Sequence, residues 1–510
     1  MNRSFKKLLS IFTSLIILLP LFPLSQAQAS DITSRTVLTV QGFPSRDFLT
    51  DGDLLHYERS TGSASITLEN RQGIHKLYLL FDQEYGAYTV TDRASGASIT
   101  AGTQGFLHEL IDLTEAFGAA PESVTLTFHQ GSVSLSEIQV FGQGALPDHV
   151  QDWSAPLEQE ADLVLFSAHG DDEHLFFAGL LPLYAGERGM KVQVVYMTDH
   201  RNVTNERVHE MLNGLWAVGV TAYPVFGPFE DFRVDDLEGT YETYERMNVT
   251  REDLLSFVVA QIRRFKPLVA VGHDIRGEYG HGMHMVYTDL LIRSLELTND
   301  PDAFSDSAER YGTWEIRKLY LHLCEENEIV LDYDQPLDRF DGMTAFQVSQ
   351  KLGYPCHLSQ QKTWFTSWLN GDQGQITKAS QIKTYDPRRF GLYHSTVGPD
   401  VEKKDLFENI SLREGPAEPP QTDPTQPPTD QTAPDPSISE PSNTEPSLST
   451  PPISEPSEQT PEQSQSQSTT ALPSPEDPER TGPGPALLAL LALACALVLL
   501  LRKIRKRPHR

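Results

Sequence analysis

Cysteine is scarce in this chain, which has three in 510 residues. So few thiols exclude a fold held together by disulfide bonds, because such folds are dense in cysteine. Cys495 lies in an apolar segment near the C-terminus. A bridge inside the folded part would have to join Cys324 and Cys356, and the sequence leaves open whether they pair or remain unpaired, buried thiols.

Basic residues are also in short supply. Lys and Arg number 41 against 70 Asp and Glu, which gives a formal net charge of −29. This balance argues against nucleic acid as the main partner, because binding it needs a basic surface. The hydrophobic fraction of 39% is ordinary. At this length it predicts two to four domains with sizeable cores.

The first of two long uncharged apolar runs lies near the N-terminus. Residues 8–24 follow three basic residues and precede the small-x-small sequence Ala27-Gln28-Ala29. This order predicts that residues 1–29 are a secretory signal peptide, with an uncleaved membrane anchor as the alternative. We therefore expect an exported protein.

The second run, at residues 486–501, is followed at once by a basic tail at residues 502–510. Basic residues directly after an apolar run mark the cytoplasmic side of a membrane. We predict a transmembrane helix at 483–501 that anchors the body of the protein outside the cell and leaves a cytoplasmic tail. The pairing of signal and tail resembles that of Gram-positive surface proteins. A complete sortase motif is missing from the sequence, which favours a retained membrane anchor over wall attachment.

Residues 415–480 separate this anchor from the body of the chain. They hold about half of the 35 prolines, and Ser, Thr, Gln, Asp and Glu fill most of the rest. Such a composition can bury almost nothing, so it predicts an extended, disordered stalk.

Residues 31–145 are dense in short runs of alternating apolar and polar residues, such as 64–68 and 123–128, with turn residues between them. This period-two pattern predicts a β-sandwich. Leu49-Thr50-Asp51-Gly52-Asp53 and residues 136–142 resemble the galactose-binding-like (discoidin-type) jelly roll. The resemblance implies either a glycan-binding module or a packing spacer, and the sequence leaves both open.

The pattern changes in residues 155–413, where apolar strands alternate with helices. Buried strands are predicted at 163–166, 192–197 and 268–271, and helices at 207–218 and 254–265. This rhythm predicts an α/β domain with a doubly wound, Rossmann-like parallel sheet. Ligands of such sheets bind at the carboxyl ends of the strands.

Histidines and carboxylates follow two of these strands. The strand at 163–166 leads to His169 and Asp172, and the strand at 268–271 leads to a segment that contains His284. Two imidazoles and one carboxylate leave an open position on a tetrahedral zinc ion, as catalytic sites do. The alternative is a set of helix-capping acids and loop histidines. Two clusters at the same edge of one sheet favour the metal.

The segment Ala168-His169-Gly170-Asp171-Asp172-Glu173 resembles the Ala-His-Pro-Asp-Asp-Glu signature of the PIG-L/LmbE-like zinc de-N-acetylases, which act on N-acetylglucosaminyl groups. Gly280-His281-Gly282-Met283-His284 resembles the second, His-x-x-His motif of that family. The similarity covers about residues 160–300. Gly170 stands where the family has Pro, and Met283 where it often has Asp or Asn.

The resemblance implies a role for five residues. His169, Asp172 and His284 would bind Zn²⁺, or another divalent metal. Asp171 would be the general base that takes a proton from the attacking water. His281 would stabilise the oxyanion and protonate the leaving amine.

Two further residues are candidates for substrate binding. Arg207 and Glu210 form an Arg-x-x-Glu pattern that the family shares, in which the Arg contacts substrate. A surface ion pair between them is the alternative. Asp231 is a candidate for binding sugar hydroxyls, although a loop carboxylate is often only solvated.

Four other ionisable residues lie in or near the motifs. We expect His174 and His273 to be structural or to support the ligands, and Glu173 to be a helix-start or supporting carboxylate. His357 is a weaker candidate for lining the pocket.

The resemblance therefore implies a surface-anchored, zinc-dependent hydrolase that acts on an N-acetylglucosamine-containing carbohydrate and releases acetate and a free amine. One alternative is a non-catalytic, glycan-binding surface protein with a degenerate deacetylase core. Another is a metal hydrolase that cleaves a different amide or an ester, because loops rather than ligands set the substrate. The sequence names neither the natural glycan nor the oligomeric state.

Overall fold

A computed structural model describes residues 28–200, 205–360 and 376–412. The first nine strands form two antiparallel sheets, with the strand orders β1-β3-β8-β5-β6 and β2-β9-β4-β7. Their bounds are β1 Val37–Gln41, β2 Glu58–Arg59, β3 Ala64–Glu69, β4 Lys76–Phe81, β5 Tyr88–Asp92, β6 Ser98–Ala101, β7 His108–Asp112, β8 Ser123–Phe128 and β9 Ser134–Phe141. A short helix, α1 (Leu113–Phe117), follows β7.

The two sheets share one core. Ile66 and Leu126 of the five-stranded sheet lie in the same buried cluster as Leu77, Leu79 and Ile138 of the four-stranded sheet. In β3 and β8 every second residue is buried, which is the alternation that the sequence shows. These nine strands are therefore a β-sandwich. Its discoidin-type identity stays a prediction.

The next seven strands form one mixed sheet in the order β12-β11-β10-β13-β14-β16-β15. Their bounds are β10 Leu163–Ser167, β11 Val192–Thr198, β12 Val225–Phe229, β13 Val269–Gly272, β14 Lys318–His322, β15 Ile329–Val330 and β16 Arg389–Ser395. The first five strands in this order are parallel, and β16 is antiparallel to both of its neighbours.

Helices accompany this sheet along the chain. The α-helices are α2 Asp172–Leu175, α3 Glu206–Ala217, α4 Leu237–Arg246, α5 Arg251–Phe265, α6 Gly282–Leu297, α7 Ser305–Tyr311 and α8 Ala345–Val348. Pro182–Glu187 and Ser349–Gly353 are π-helical turns. The 3₁₀ turns are Thr33–Arg35, Glu278–Gly280, Asp338–Phe340, Tyr354–Cys356, Leu358–Gln360 and Ala379–Gln381.

Both faces of the parallel sheet are covered. Leu163 and Leu165 of β10 pack on one face in a cluster with Leu215 of α3, whereas Val164 packs on the other face with Val258 of α5. Each of these side chains is fully buried, and such burial contributes about 1.5–3 kcal/mol per side chain. The sheet is therefore doubly wound, as its continuous apolar strands predict.

Local sequence sets the bounds of the longer helices. In α5, Thr250 and Asp253 form a capping box at the N-terminus, and Lys266 ends the helix in a left-handed conformation just before Pro267. The stretch after the first motif differs from its prediction. Helical spacing predicts a helix through 175–181, but α2 ends at Leu175 and the next regular turn begins at Pro182.

The sandwich packs on the α/β part next to α3. The rings of Phe106 and Tyr223 stack with centroids 4.4 Å apart. His108 of β7 and His209 of α3 form a hydrogen bond of 2.7 Å between Nε2 and Nδ1, and both are buried. Residues from both parts also share one hydrophobic cluster. This contact gives the sandwich a packing role, while glycan binding by it remains a prediction.

Several predicted segments lie outside the described residues, namely most of the signal, the stalk at 415–480, the helix at 483–501 and the tail at 502–510. Within the described ranges, every helix is too short or too polar to cross a membrane. Cys324 and Cys356 are free thiols rather than a disulfide.

Candidate metal centre and active site

The centre lies where β10 and β13 leave the sheet side by side. These strands are neighbours, while the strands that follow them run outward in opposite directions, which makes this pair the topological switch point. The turn after β10 is fixed by two hydrogen bonds. The Ala168 N–H donates to His273 Nε2 at 2.9 Å, and the Thr198 hydroxyl donates to the Ala168 carbonyl at 2.7 Å.

Three side-chain atoms converge at this point. His169 Nδ1 lies 3.2 Å from Asp172 Oδ2 and 3.1 Å from His284 Nε2, and the latter two atoms are 3.3 Å apart. All three residues are buried. Zinc–ligand bonds of about 2.0–2.2 Å in a tetrahedral arrangement separate the ligand atoms by roughly 3.3–3.6 Å. The triangle therefore has the size that one divalent ion needs.

The outer nitrogen of each imidazole is held by a carboxylate. His169 Nε2 lies 3.1 Å from Asp231 Oδ1, and His284 Nδ1 lies 2.7 Å from Glu278 Oε2. A carboxylate accepts the N–H, so each ring carries its proton on the outer nitrogen and turns a lone pair toward the shared point. Two lone pairs and one carboxylate oxygen of Asp172 then face one another, an arrangement that a cation stabilises. The donor set fits a divalent transition metal.

The same carboxylates affect the pKa of His169. Burial alone lowers that pKa, but the charges of Asp231 and Asp172 raise it to about 10. The pKa of His284 is also raised, because Asp172 and Glu278 outweigh its burial. The centre therefore attracts positive charge strongly.

Glu278 is the hub of the outer contacts, and sequence reasoning gave it no role. Its carboxylate lies 2.9 Å from His273 Nδ1, 2.7 Å from His284 Nδ1 and 2.7 Å from His322 Nδ1. It also accepts the Asp274 N–H at 3.1 Å. Although burial raises the pKa of Glu278, these imidazoles hold it well below its usual range. The one sequence signal for a role of Glu278 was its position between His273 and the second motif at residues 280–284.

Asp171 lies directly before the metal-ligand candidate Asp172 and has a strained backbone φ of 151°. Its N–H donates to Glu173 Oε2 at 2.9 Å, which holds the turn in this conformation. Burial raises the pKa of the Asp171 carboxyl to about 6, although Arg207 lowers it in part. A buried carboxylate with that pKa is suited to accept a proton near neutral pH.

Arg207 lies on the turn itself. Its Nη2 donates to the Gly170 carbonyl at 3.0 Å and lies 3.6 Å from Asp171 Oδ1. Glu210 instead accepts hydrogen bonds of 2.6 Å from the N–H and hydroxyl of Ser359. The surface ion pair between Arg207 and Glu210 is thus not what the structure contains, and the substrate contact of Arg207 stays a prediction.

His281 faces the two ligand imidazoles. Its ring centroid lies 4.8 Å from that of His169 and 5.0 Å from that of His284. Burial, reinforced by those two rings, lowers the pKa of His281 to about 2, so the imidazole is neutral. Its Nδ1 has no hydrogen-bond partner among the described residues. The neutral ring is therefore available to form a hydrogen bond with a substrate atom.

A cleft of about 600 Å³ lies beside His281. Tyr279, which lines it, packs against the His281 ring with centroids 5.4 Å apart. Arg233, Asp274, Arg276 and Tyr385 also line this cleft. Sequence reasoning did not single out Tyr279 or Arg233, because single residues in loops carry no spacing pattern.

Asp231 takes a place that its prediction did not anticipate. Its carboxylate contacts His169 Nε2 at 3.1 Å, and the binding of sugar hydroxyls by Asp231 stays a prediction. His273 accepts from Ala168 and contacts Glu278, which agrees with a structural role. Glu173, His174 and His357 gather in a separate buried cluster rather than in the cleft beside His281.

The two departures from the family motifs have local explanations. A Cβ at Gly170 would lie 2.3–2.4 Å from side-chain atoms of Met211, so Met211 fills the space that a larger residue needs. Met283 is fully buried in the hydrophobic cluster on the face of the sheet that α5 covers. The Tyr244 hydroxyl lies 3.3 Å from its sulfur. Position 283 therefore contributes no polar group to the centre.

Comparison with known proteins finds a family match for the part of the chain that holds the centre. Residues 164–295 match the model of the GlcNAc-PI de-N-acetylase (PIG-L) family. The matched segment contains the three metal-ligand candidates, Asp171, Arg207, Asp231, Glu278 and His281. His322 and His357 lie beyond the matched segment.

The curated proteins that this chain resembles include deacetylases. A 1D-myo-inositol 2-acetamido-2-deoxy-alpha-D-glucopyranoside deacetylase 1 from Frankia alni is 26% identical over 296 residues, which cover 48% of this chain and 99% of that protein. A deacetylase of the same substrate from Streptomyces avermitilis is 29% identical over 180 residues, covering 31% and 60%. The chain thus spans less than two thirds of some of these relatives.

Among solved structures, an N,N'-diacetylchitobiose deacetylase from Pyrococcus horikoshii is similar at 15% identity with a TM-score of 0.27. That match covers 43% of this chain and 81% of that chain.

Proposed function

We propose that this protein is a zinc-dependent de-N-acetylase that hydrolyses the acetamide of an N-acetylglucosamine-containing glycan or glycoconjugate. The PIG-L match and the deacetylase relatives support a hydrolytic N-acetyl sugar deacetylase. The single observation that carries the proposal is the convergence of His169, Asp172 and His284 on one point, with the buried Asp171 adjacent to Asp172 in the chain.

His169, Asp172 and His284 would hold the ion, with Asp231 and Glu278 fixing the two imidazoles. When bound, a zinc ion polarises a carbonyl and lowers the pKa of a water molecule toward about 7. Side chains around that position carry out the other steps of the reaction.

Asp171 accepts the proton of the water that attacks the acetamide carbon. His281 lies across the ligand imidazoles and stabilises the oxyanion by donating a hydrogen bond. The C–N bond then breaks, and the proton that Asp171 accepted passes to the nitrogen that leaves. One amide and one water thus give one acetate and one free amine.

The substrate class follows from the relatives and from the cleft. The curated relatives are named for a 2-acetamido-2-deoxy-glucopyranoside. In this chain, aromatic side chains of Tyr279 and Tyr385 and the guanidinium of Arg233 line the cleft beside His281. Aromatic faces and hydrogen-bond donors of this kind suit a sugar ring.

We also propose that the enzyme acts outside the cell while held at the membrane. This rests on the predicted signal at 1–29 and the predicted helix and tail at 483–510, both read from the sequence. Deleting residues 483–510 should release the protein into the culture medium. Retention of the truncated chain in the membrane fraction would contradict the anchor.

The experiment that tests the activity measures acetate release from a panel of N-acetylglucosamine-bearing glycans, with and without a chelator. We expect release from at least one member and its loss after chelation. Asp171→Asn should lower the rate by roughly 10²–10⁴-fold while the metal stays bound, because only the proton acceptor is removed. Asp53→Asn, an exposed change in the sandwich, is the matched control.

Two outcomes would overturn the proposal. Full activity of the Asp171→Asn variant would remove the general base. A metal-loaded protein that releases no acetate from any glycan would favour the non-catalytic surface protein, or hydrolysis of a different amide or ester.

A further inference from the structure

A second histidine–carboxylate cluster lies next to the turn that follows β10. Glu173 and His174 follow the metal-ligand candidate Asp172 directly, and His357 joins them from the segment after the π-helical turn Ser349–Gly353. All three side chains are fully buried. None of them is used by the proposed reaction.

The polar atoms of this cluster lack hydrogen-bond partners among the described residues. Glu173 Oε1, both ring nitrogens of His174 and both ring nitrogens of His357 are buried and unpaired, and so is the nearby hydroxyl of Tyr196. Native proteins pair nearly all buried polar groups, with each exception calling for an unseen ion or water. Several such atoms in one place indicate a ligand-binding site.

The geometry fits a metal ion. His357 Nε2 lies 3.4 Å from Glu173 Oε1, and His174 Nε2 lies 3.8 Å from it. Each residue offers one donor atom, and these atoms lie within 4.8 Å of one another. The first two separations are long for hydrogen bonds but close to the roughly 3.4 Å between ligands of a tetrahedral zinc ion.

Two glycines keep the space around these nitrogens free of side chains. A Cβ at Gly214 would lie 2.8 Å from His357 Nε2 and 3.0 Å from His174 Nε2. A Cβ at Gly353 would lie 2.3 Å from His174 Cε1. The chain therefore approaches the two rings as closely as backbone can, from two separate elements.

We propose that Glu173, His174 and His357 bind a second divalent transition-metal ion of the zinc class. Two imidazoles and one carboxylate form the same donor set as the first centre. One cation takes up three of the unpaired atoms together, and the Tyr196 hydroxyl or a water is available as a fourth ligand. Complete burial makes this a structural ion.

The second ion would position the first centre. Glu173 binds the ion through Oε1 and holds the Asp171 N–H through Oε2. It would thereby tie the segment around His357 to the turn that carries the general base. The proposal concerns metal binding and does not depend on the substrate or on the reaction.

The test is a metal count on the full-length chain, purified, loaded with Zn²⁺, dialysed and measured by elemental analysis. We expect two ions per chain in the wild type. Glu173→Gln and His357→Asn should each hold one, because each removes one ligand of the second centre only. His284→Asn should also hold one, having lost the first centre. The exposed His56→Asn is the matched control and should hold two.

One ion in the wild type, or two ions in both Glu173→Gln and His357→Asn, would overturn the proposal. Circular dichroism shows whether each variant is folded. If neither second-centre variant folds, the counts in the wild type and His284→Asn decide. Two ions in the wild type and one in His284→Asn support a second centre. One ion in the wild type and none in His284→Asn refute it. Titration of the metal-free wild type with Co²⁺ should likewise show two saturating phases in the visible spectrum, and a single phase would refute it.

Discussion

Glu278 and Glu173 are both fully buried among histidines, yet their surroundings differ. Glu278 contacts three imidazole nitrogens and one backbone N–H at 2.7–3.1 Å. Glu173 accepts one backbone N–H through Oε2, whereas its Oε1 and the ring nitrogens of His174 and His357 have no hydrogen-bond partner among the described residues. The first carboxylate is saturated and orients its rings, whereas the second has coordination capacity left over. Saturation therefore distinguishes a support for a site from a candidate site.

Among the substitutions that test this difference between Glu278 and Glu173, Glu278→Gln should have the largest effect. A neutral amide cannot accept from three imidazoles at once, and removing one partner of a buried charge pair costs about 3–5 kcal/mol. We expect the free energy of unfolding in urea to fall by about that amount. The affinity of the first centre for Zn²⁺, measured by competition with a chromophoric chelator, should fall about 10–100-fold.

Glu238→Gln makes the same chemical change at an exposed ion pair, where the expected change in unfolding free energy is below about 1 kcal/mol. Equal effects of the two substitutions would show that Glu278 is not the hub that its contacts indicate.

A smaller effect is expected for Asp231→Asn, which tests the outer partner of His169. Loss of this carboxylate should weaken Zn²⁺ binding by about 10–100-fold, because His169 loses the partner that fixes its ring. KM for the glycan at saturating Zn²⁺ should stay within about twofold. Asp235→Asn, an exposed aspartate four residues away, serves as the control. A raised KM with unchanged metal affinity would support the sugar-binding role predicted from the sequence instead.

The smallest expected effect compares one histidine from each cluster in metal-free protein. His273 has a hydrogen-bond partner on both nitrogens, whereas neither ring nitrogen of His357 has one among the described residues. His273→Leu should therefore lower the free energy of unfolding by roughly 1–3 kcal/mol more than His357→Leu, since only the former breaks hydrogen bonds to buried groups. Urea titrations with excess chelator measure the difference. A larger loss for His357→Leu would reverse the comparison.

The parallel part of the fold was predictable from the sequence because its strands are continuous apolar runs followed by helical periods. Leu163–Ser167 and Val269–Gly272 show this, and their carboxyl ends meet as the switch-point rule requires. The antiparallel edge was not predicted. Arg389–Ser395 pairs with Lys318–His322, some 70 residues earlier, and nothing local in its sequence marks that partner.

The candidate metal centre was also only partly predictable from the sequence. The positions of His169, Asp172 and His284 were predictable because each lies in a motif that follows a strand. The partners of these residues were not, since they depend on contacts distant in sequence. Asp231 meets His169 across 62 residues, and His322 meets Glu278 across 44. Pairings of this kind are set by tertiary packing rather than by spacing.

The junction between sandwich and sheet has a practical consequence for anyone who wishes to study catalysis with a shortened protein. Helix α3 carries Arg207 at one position and His209, the partner of His108, two residues later. Removing residues 28–150 would expose Tyr223 to water and leave His209 without its neighbour, on the same helix that holds the Gly170 carbonyl. We therefore expect that an active fragment which folds independently must include the sandwich. Deleting the sandwich should give an insoluble or inactive protein.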